Sequence, residues 1–378
     1  MKRLKAGIVG MGFVGPIHLE SLRRLGYIET CIAESDMDTA KKRAAQYDVQ
    51  EYYDDWNDMI DKAGIDVIHI CAPNNLHYPI AKKAMEKGIN VVCDKPLSLD
   101  IKEAQSMADM AKETKLINAI TFNTFYYPLV SQARHLIKSN QLGKINFIQG
   151  FYFQDWLFYD SDYNWRVEAA YSGLSRVIGD IGSHCLYILQ GITGQKIISL
   201  YADFNTFVPV RKKPIGRIES YQKNENQECE EIKIDTEDQA TLLLEFENGA
   251  KGVFIGGQTC AGRKNKLCFE IHGSEKSIAW NAERADALWI GERDTANHCL
   301  MKDFNLLEPV SAKLCDFAGG LQEGYAETWK NLMKLIYAAV LEGKHQEGIY
   351  PTFEDGLYMQ RVVDASYKSS VSKQWVKV

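Results

Sequence analysis

The side chains with the most chemistry to offer in this chain are Lys95, Asp180 and His184. Lys95 stands in Cys93-Asp94-Lys95-Pro96 at the end of a short apolar run. Pro96 biases the residue before it towards an extended backbone, so the ammonium points with little freedom. Held there and partly desolvated, it can steer a substrate hydroxyl and stabilise a developing alkoxide. Asp180 and His184 lie in Gly179-Asp180-Ile181-Gly182-Ser183-His184, inside a stretch of helical period, and their spacing of four puts them on one face. Gly182 between them leaves room for a ligand. Histidine is the side chain whose unperturbed pKa lies nearest neutrality, which makes His184 the natural proton acceptor for an alcohol; Asp180 either orients it or binds a second hydroxyl.

A second group of residues has the spacing of a phosphate cradle: Gly10-Met11-Gly12-Phe13-Val14-Gly15, directly after an apolar run and before a helical pattern. Gly10 permits the tight turn, Gly12 lets backbone approach a pyrophosphate, and Gly15 lets the helix pack against the strand. The NH groups around Phe13 and Val14 then face the anion. The motif calls for an acidic residue roughly 20 positions further on to accept from the adenosine ribose hydroxyls, and Glu34 fits. Its carboxylate repels a 2'-phosphate, so the expected cofactor is NAD; Ser35 beside it, and Lys41 or Lys42, would soften that preference. The turn-rich segment Ala72-Pro73-Asn74-Asn75-Leu76-His77 falls at the carboxyl edge of the same sheet, where open α/β sheets bind ligands. Ala72, Pro73 and Asn74 are placed against the cofactor, as are Asp94 and Lys95; His77 either joins them or caps the helix that follows.

These groups need a scaffold, and its rhythm is legible. Up to residue 122, apolar runs at Ala6 to Val9, Thr30 to Ala33, Val67 to Cys71, Val91 to Cys93 and Ile117 to Thr121 read as buried strands. Helical periods at His18 to Leu25, Thr39 to Tyr47, Pro79 to Lys87 and Ile101 to Thr114 separate them. Such alternation predicts a doubly wound parallel sheet, a Rossmann domain spanning 1–122. Beyond it, helical stretches at Val130 to Ile137 and Val177 to Leu189 precede strand-like runs at Ile197 to Phe204, Ala240 to Phe246, Lys251 to Ile255, Leu267 to Ile271 and Lys276 to Trp280. Asn248-Gly249 and Gly273-Ser274 are turn signals between them. The expectation is an open antiparallel sheet domain over 123–378 that binds substrate and self-associates. The polar stretch Tyr221 to Glu231 reads as a loop, and Tyr325 to Leu341 and Phe353 to Lys368 as late helices.

Composition narrows the function classes. At 378 residues and 46% hydrophobic content, the chain can bury two cores. A net charge of -6 gives no field that would gather nucleic acid or anionic lipid. Nine scattered cysteines form no C-x-x-C pair, so neither a metal site nor a redox pair is expected, and they read as reduced thiols of a cytoplasmic protein. The N-terminal MKRLKAGIVGMGFVG has the basic-then-apolar order of a signal peptide, but glycines interrupt the run and no small-residue cleavage site follows. No segment reaches the ~18 apolar residues of a membrane span.

A strand-helix G-x-G-x-x-G, a strand-end Lys-Pro and a D-x-G-x-H, in this order and spacing, resemble the glucose-fructose oxidoreductase, inositol dehydrogenase and MocA (Gfo/Idh/MocA) family over essentially the whole chain. The resemblance implies that Lys95, Asp180 and His184 form the catalytic group, and that Trp165-Arg166 is the family's W-R element near the nicotinamide. It implies a dehydrogenase that moves hydride between NAD and a secondary hydroxyl of a sugar, anhydrosugar or cyclitol, working as a homodimer or homotetramer. Ser172-Gly173-Leu174-Ser175-Arg176, Gly262-Arg263-Lys264-Asn265 and Leu288-Trp289-Ile290-Gly291 look like a branch of sugar oxidoreductases that includes levoglucosan dehydrogenase, which makes Tyr127, Gln154 and Tyr325 candidates for substrate contact. Two departures stand out. Asp94 occupies the place where the family usually has glutamate, and Tyr126-Tyr127 precede Pro128 where many members carry arginine, so an anionic substrate is less expected.

Two other readings compete. A family member can oxidise a sugar transiently and then eliminate or hydrolyse, with no net consumption of NAD. Others are cofactor-binding sensors that have lost catalysis, often together with the lysine or histidine; this chain keeps both.

Overall fold

The computed structural model describes residues 3–216, 228–346 and 348–378. The chain forms two compact units. The first comprises Met1–Asn123, Ala170–Ser172 and Trp329–Gln360; the second comprises Thr124–Ala169, Gly173–Thr328 and Arg361–Val378.

In the first unit the chain runs β1 (Leu4–Val9), α1 (Val14–Leu25), β2 (Ile28–Ala33), α2 (Met37–Tyr47), β3 (Glu51–Tyr53), α3 (Trp56–Lys62), β4 (Val67–Ile70), α4 (His77–Glu86), β5 (Asn90–Cys93), α5 (Ile101–Thr114) and β6 (Asn118–Ile120). The strands pair in parallel in the order β3-β2-β1-β4-β5-β6, the doubly wound arrangement that the alternation predicted. Its order reverses between β1 and β4, so their carboxyl ends flank the crevice where such sheets bind ligands. Val67, Ile68, Ile70, Val91 and Val92 are buried, and alanines of the helices, among them Ala40, Ala81, Ala84, Ala104 and Ala108, allow close approach to the sheet. Asp36, Asp55 and Asp100 cap α2, α3 and α5 by accepting from backbone NH groups.

The sequence reading passed over β3 and α3. β3 is a three-residue, half-buried edge strand, and α3 is seven residues long, so neither leaves a periodic apolar signal. Residues 329–360, which a single division at residue 122 leaves with the second domain, pack in the first unit. Ile120 N donates to Pro351 O, and Phe353 N donates to Asn118 Oδ1.

The second unit contains α6 (Pro128–Lys138), β7 (Ile145–Phe153), α7 (Ala169–Ser172, whose last three residues belong to the first unit), α8 (Ser183–Thr193), β8 (Ile197–Asn205), β9 (Val210–Pro214) and β10 (Cys229–Lys233). There follow β11 (Gln239–Phe246), β12 (Lys251–Gly257), β13 (Lys266–Gly273), β14 (Lys276–Asn281), β15 (Ala287–Glu292), β16 (His298–Met301), α9 (Pro309–Ala312), α10 (Tyr325–Glu342, of the first unit from Trp329 on), α11 (Phe353–Ser372, of the first unit up to Gln360) and β17 (Val376–Lys377). Nine strands form one sheet in the order β16-β15-β14-β13-β7-β12-β11-β8-β17. The sheet is mixed rather than purely antiparallel, because β7 and β12 run parallel. A parallel pair needs a long crossover, and residues 154–250 between these strands supply one. β7 sits at the centre although the sequence reading missed it. Gly150 in that strand admits α8: a Cβ there would lie 2.6 Å from Cys185 Sγ.

The turn signals at Asn248-Gly249 and Gly273-Ser274 join antiparallel pairs β11/β12 and β13/β14. Of the expected loop at Tyr221 to Glu231, residues 221–227 lie outside the described residues, and Cys229–Lys233 is instead a strand paired with β9. Its sequence, Cys-Glu-Glu-Ile-Lys, has no apolar alternation, because every residue but the half-buried Ile232 is exposed.

Candidate active site

The glycine cradle of the first unit is built as its spacing requires. Gly10 has φ +87°, and a Cβ on it would lie 2.9 Å from Cys71 O. Gly15 is tighter, since its Cβ would lie 2.1 Å from Gly10 O, so α1 packs on β1 only without a side chain there. At Gly12 a Cβ would meet nothing within 4 Å, which is open space beside the turn. The first turn of α1 carries no side-chain cap and no acid, so its NH dipoles are offered to an anion, and Phe13 beside them is exposed. Glu34, one residue past β2, accepts from Met11 N at 2.9 Å and is thereby tied to the glycine turn. Ser35 donates to Asp36 Oδ2, and Lys41 and Lys42 are exposed on α2. The residues present fit a dinucleotide.

At the same sheet edge, Ala72 and Pro73 are half-buried, and Asn74 is buried with Nδ2 donating to Ser172 O at 3.2 Å. His77 is the first residue of α4, yet its ring is only 1% exposed and reaches back to the loops. Nδ1 lies 2.9 Å from Pro96 O and Nε2 lies 3.0 Å from Ala72 O. The ring thus lies between the segment after β4 and the Lys95-Pro96 turn, its single NH when neutral donating to one of the two carbonyls. Burial holds its pKa below the ordinary value, against the pull of the Asp94 carboxylate. Asp94 is buried and accepts from Thr121 Oγ1 at 2.5 Å. The shorter carboxylate thus finds a hydroxyl partner at the end of β6, and Lys95, half-buried, follows it through a cis peptide to Pro96.

In the second unit Asp180 and His184 straddle a change of helix type. Residues Ile178–Gly182 form a π turn, closed by Ser183 N donating to Ile178 O, and α8 continues from Ser183. Such bulges are frequent at functional sites. The turn is anchored from beneath: buried Glu237 accepts from Ser175 Oγ, Arg176 N, Val177 N and Ile178 N. Desolvation raises the pKa of that carboxyl. Next to it, buried Arg176 and Arg211 both donate to Asp238, the latter at 2.9 Å. The Asp180 carboxylate is gripped on both oxygens, by Gln258 Nε2 at 2.8 Å on Oδ2 and by Arg166 Nε at 3.5 Å on Oδ1. Arg166 in turn lies 4.3 Å over the Trp165 ring. His184 Nδ1 lies 3.3 Å from Thr124 Oγ1.

Of the three candidates for substrate contact, Tyr127 is buried against Trp280 with ring centroids 5.0 Å apart, and desolvation raises its phenol pKa. Gln154 is also buried and has both amide ends engaged: Oε1 accepts from Trp156 Nε1 at 2.8 Å, and Nε2 donates to Asn265 Oδ1 at 3.0 Å. Tyr325 is half-buried at the start of α10. Thr124, Gln258, Glu237 and Thr121 escaped the sequence reading. Gln258 had a signal, a polar residue directly after an apolar strand; the others had none. Among the described residues no cluster of His, Cys, Asp or Glu is arranged to hold a metal.

Residues 4–122 match the model of an oxidoreductase family with an NAD-binding Rossmann fold, and residues 130–279 match the C-terminal domain of the same family. Levoglucosan dehydrogenase from Pseudarthrobacter phenanthrenivorans is 28% identical, over 100% of this chain and 99% of that protein. An inositol 2-dehydrogenase/D-chiro-inositol 3-dehydrogenase from Lactiplantibacillus plantarum is 30% identical over 37% of this chain and 41% of its own length. A solved structure of levoglucosan dehydrogenase in complex with NADH and L-sorbose aligns with a TM-score of 0.90 at 28% identity, covering 100% of this chain and 99% of that one. With both domain models matched in chain order, around a glycine cradle and helix of the expected build, the chain belongs to the Gfo/Idh/MocA family of NAD-binding oxidoreductases.

Proposed function

We propose that this enzyme is an NAD-dependent dehydrogenase that oxidises a secondary hydroxyl of a neutral sugar, anhydrosugar or cyclitol ring to a ketone. The observation that carries the reading is the full-length similarity to levoglucosan dehydrogenase in a chain that keeps Lys95, Asp180 and His184. Gly10, Gly12, Phe13, Val14 and Gly15 hold the pyrophosphate and Glu34 the ribose. Ala72, Pro73, Asn74, Asp94, Trp165 and Arg166 contribute to the rest of the cofactor site, with His77 acting through the two loops it joins. When bound, NAD supplies the hydride acceptor. His184 takes the hydroxyl proton as the carbinol carbon gives up its hydride, and Lys95 places positive charge where the alkoxide develops. Asp180, fixed by Gln258 and Arg166, accepts from a second hydroxyl of the ring. Tyr127, Gln154 and Tyr325 contact the substrate, the two tyrosines through aromatic faces suited to such rings; Gln154 also donates to Asn265 Oδ1.

The first unit takes the cofactor, and the second takes the substrate and pairs with further copies. The sheet face away from α6 and α8 supports a homodimer or homotetramer, since it presents Phe147, Leu243, Val253 and Ile255 without being fully buried. Nine scattered cysteines without a C-x-x-C pair support a cytoplasmic location, and no helix among the described residues is long and apolar enough to cross a membrane. The test is NADH formation across a panel of levoglucosan, inositols, glucosides and 2-hydroxy acids. Turnover of a neutral ring is expected. Turnover confined to hydroxy acids, or a sugar consumed without NADH accumulating, would overturn the reading.

A further inference from the structure

We propose that Thr124 is a positioning residue that holds His184 in the tautomer carrying its proton on Nδ1, so that Nε2 is the atom that exchanges a proton with the substrate hydroxyl. The proposal rests on the assignment of His184 as the base. Thr124 stands in the short helical turn Asn123–Tyr126, ahead of α6, and its side chain faces α8. Oγ1 lies 3.3 Å from His184 Nδ1, and the two residues are only 3% and 8% exposed, so water does not readily take the place of either partner.

The chemistry selects the direction of this hydrogen bond. A neutral imidazole has one NH, and which nitrogen carries it is set by the partner of the other. Were Thr124 to donate to Nδ1, Nε2 would hold the proton and could accept none. With Nδ1–H donating to Oγ1, Nε2 has the lone pair. In alcohol oxidation the substrate O–H bond breaks as Nε2–H forms, the carbinol C–H pair leaves as hydride to NAD, and the ring becomes an imidazolium. Nδ1–H keeps donating to Oγ1 throughout, so Thr124 loses no proton and favours the charged ring by accepting from it. Deprotonation of Nε2 to solvent restores the starting form. Asp180, one turn earlier, meets Gln258 and Arg166, and Thr124 Oγ1 is a partner within hydrogen-bond distance of Nδ1.

The decisive measurement is nitrogen NMR of the full-length protein with NAD and 15N-labelled histidine, the His184 signals being assigned by their loss in His184→Ala. At alkaline pH the wild-type ring should show a protonated Nδ1 and a bare Nε2; a proton on Nε2 overturns the proposal without reference to any variant. Thr124→Val should lose the preference and Thr124→Ser should keep it. In kinetics, Thr124→Val should lower kcat by about 10-fold to 100-fold with NAD affinity unchanged, while Thr124→Ser stays within about 3-fold of wild type. Combined with His184→Ala, Thr124→Val should cost nothing further. If His184→Ala is itself as active as wild type, the base assignment fails, and the NMR still decides whether Thr124 sets the tautomer. If His184→Ala is inactive while Thr124→Val retains both tautomer and rate, the positioning role is wrong and the base stands.

Discussion

A Cβ on Gly12 would enter open space, whereas one on Gly15 would collide with Gly10 O, and this contrast separates binding from folding at single positions. Gly12→Ala should leave the melting temperature within about 2 °C of wild type and weaken NAD by at least about 10-fold, because its methyl stands where backbone must approach pyrophosphate. Gly15→Ala should lower both. Isothermal titration and thermal melts of the two variants check this; equal effects would mean that Gly12 does not face the cofactor. Glu34, pinned by Met11 N at the end of β2, should make NAD bind more tightly than NADP in fluorescence titrations. Equal or tighter NADP binding would show that Ser35, Lys41 and Lys42 dominate. At the reacting end, Lys95→Met or His184→Ala should cut turnover by roughly 100-fold or more while NAD binding persists. A His184→Ala enzyme at wild-type rate would send the proton through Lys95 or water.

The elements carry these side chains through buried polar supports rather than apolar packing alone. The π turn before α8 ends on the Glu237 carboxylate, which accepts three successive backbone NH groups. Glu237→Gln replaces an acceptor by a donor beside them, and leaving buried NH groups unpaired costs about 1–3 kcal/mol each. The melting temperature should fall on the order of 10 °C. In the first unit, α1 and β4 are joined by His18 Nδ1 to His69 Nδ1 at 2.9 Å, and His69 Nε2 meets Tyr337 Oη at 2.8 Å. Burial pushes the His18 pKa down to about 3 from 6.5 and depresses that of His69 as well, so the folded state holds both rings neutral. An unfolded chain binds protons on them below pH 6.5, and stability therefore falls as pH drops from 6.5 towards about 3, by ~1.4 kcal/mol per pH unit for each proton withheld. His18→Gln should flatten that slope in melts taken from pH 7 to 4, whatever its effect on stability at pH 7. An unchanged slope would place acid sensitivity elsewhere.

For the molecule as a whole, the open face of the nine-stranded sheet bears on assembly. Leu243 is 46% exposed on it, opposite Val253 across the β11/β12 ladder. A soluble chain seldom leaves such a stripe uncovered. Sedimentation should find a dimer or tetramer, and Leu243→Lys with Val253→Lys should shift it towards monomer; a monomeric wild type would assign the face to something else. Within one chain the two units are discontinuous, since residues 329–360 return to the first.

The sequence by itself determined the elements whose residues act locally. Strand periodicity around Val9, Val67 and Val91, the Gly10 to Gly15 spacing, the acid at Glu34 and the four-residue step from Asp180 to His184 follow from backbone geometry over a few positions, and each was legible without a fold. The central strand β7 was missed although it alternates, because its place between β12 and β13 depends on a parallel pairing across a long crossover. The partners of the candidate site residues were beyond reach for the same reason. Thr124 lies 60 positions from His184, Gln258 lies 78 from Asp180, and Thr121 lies 27 from Asp94. Hydrogen bonds between residues so far apart in the chain leave no periodicity in it. Which way an imidazole or a carboxylate is held is decided only when the folded chain brings its partner within about 3 Å.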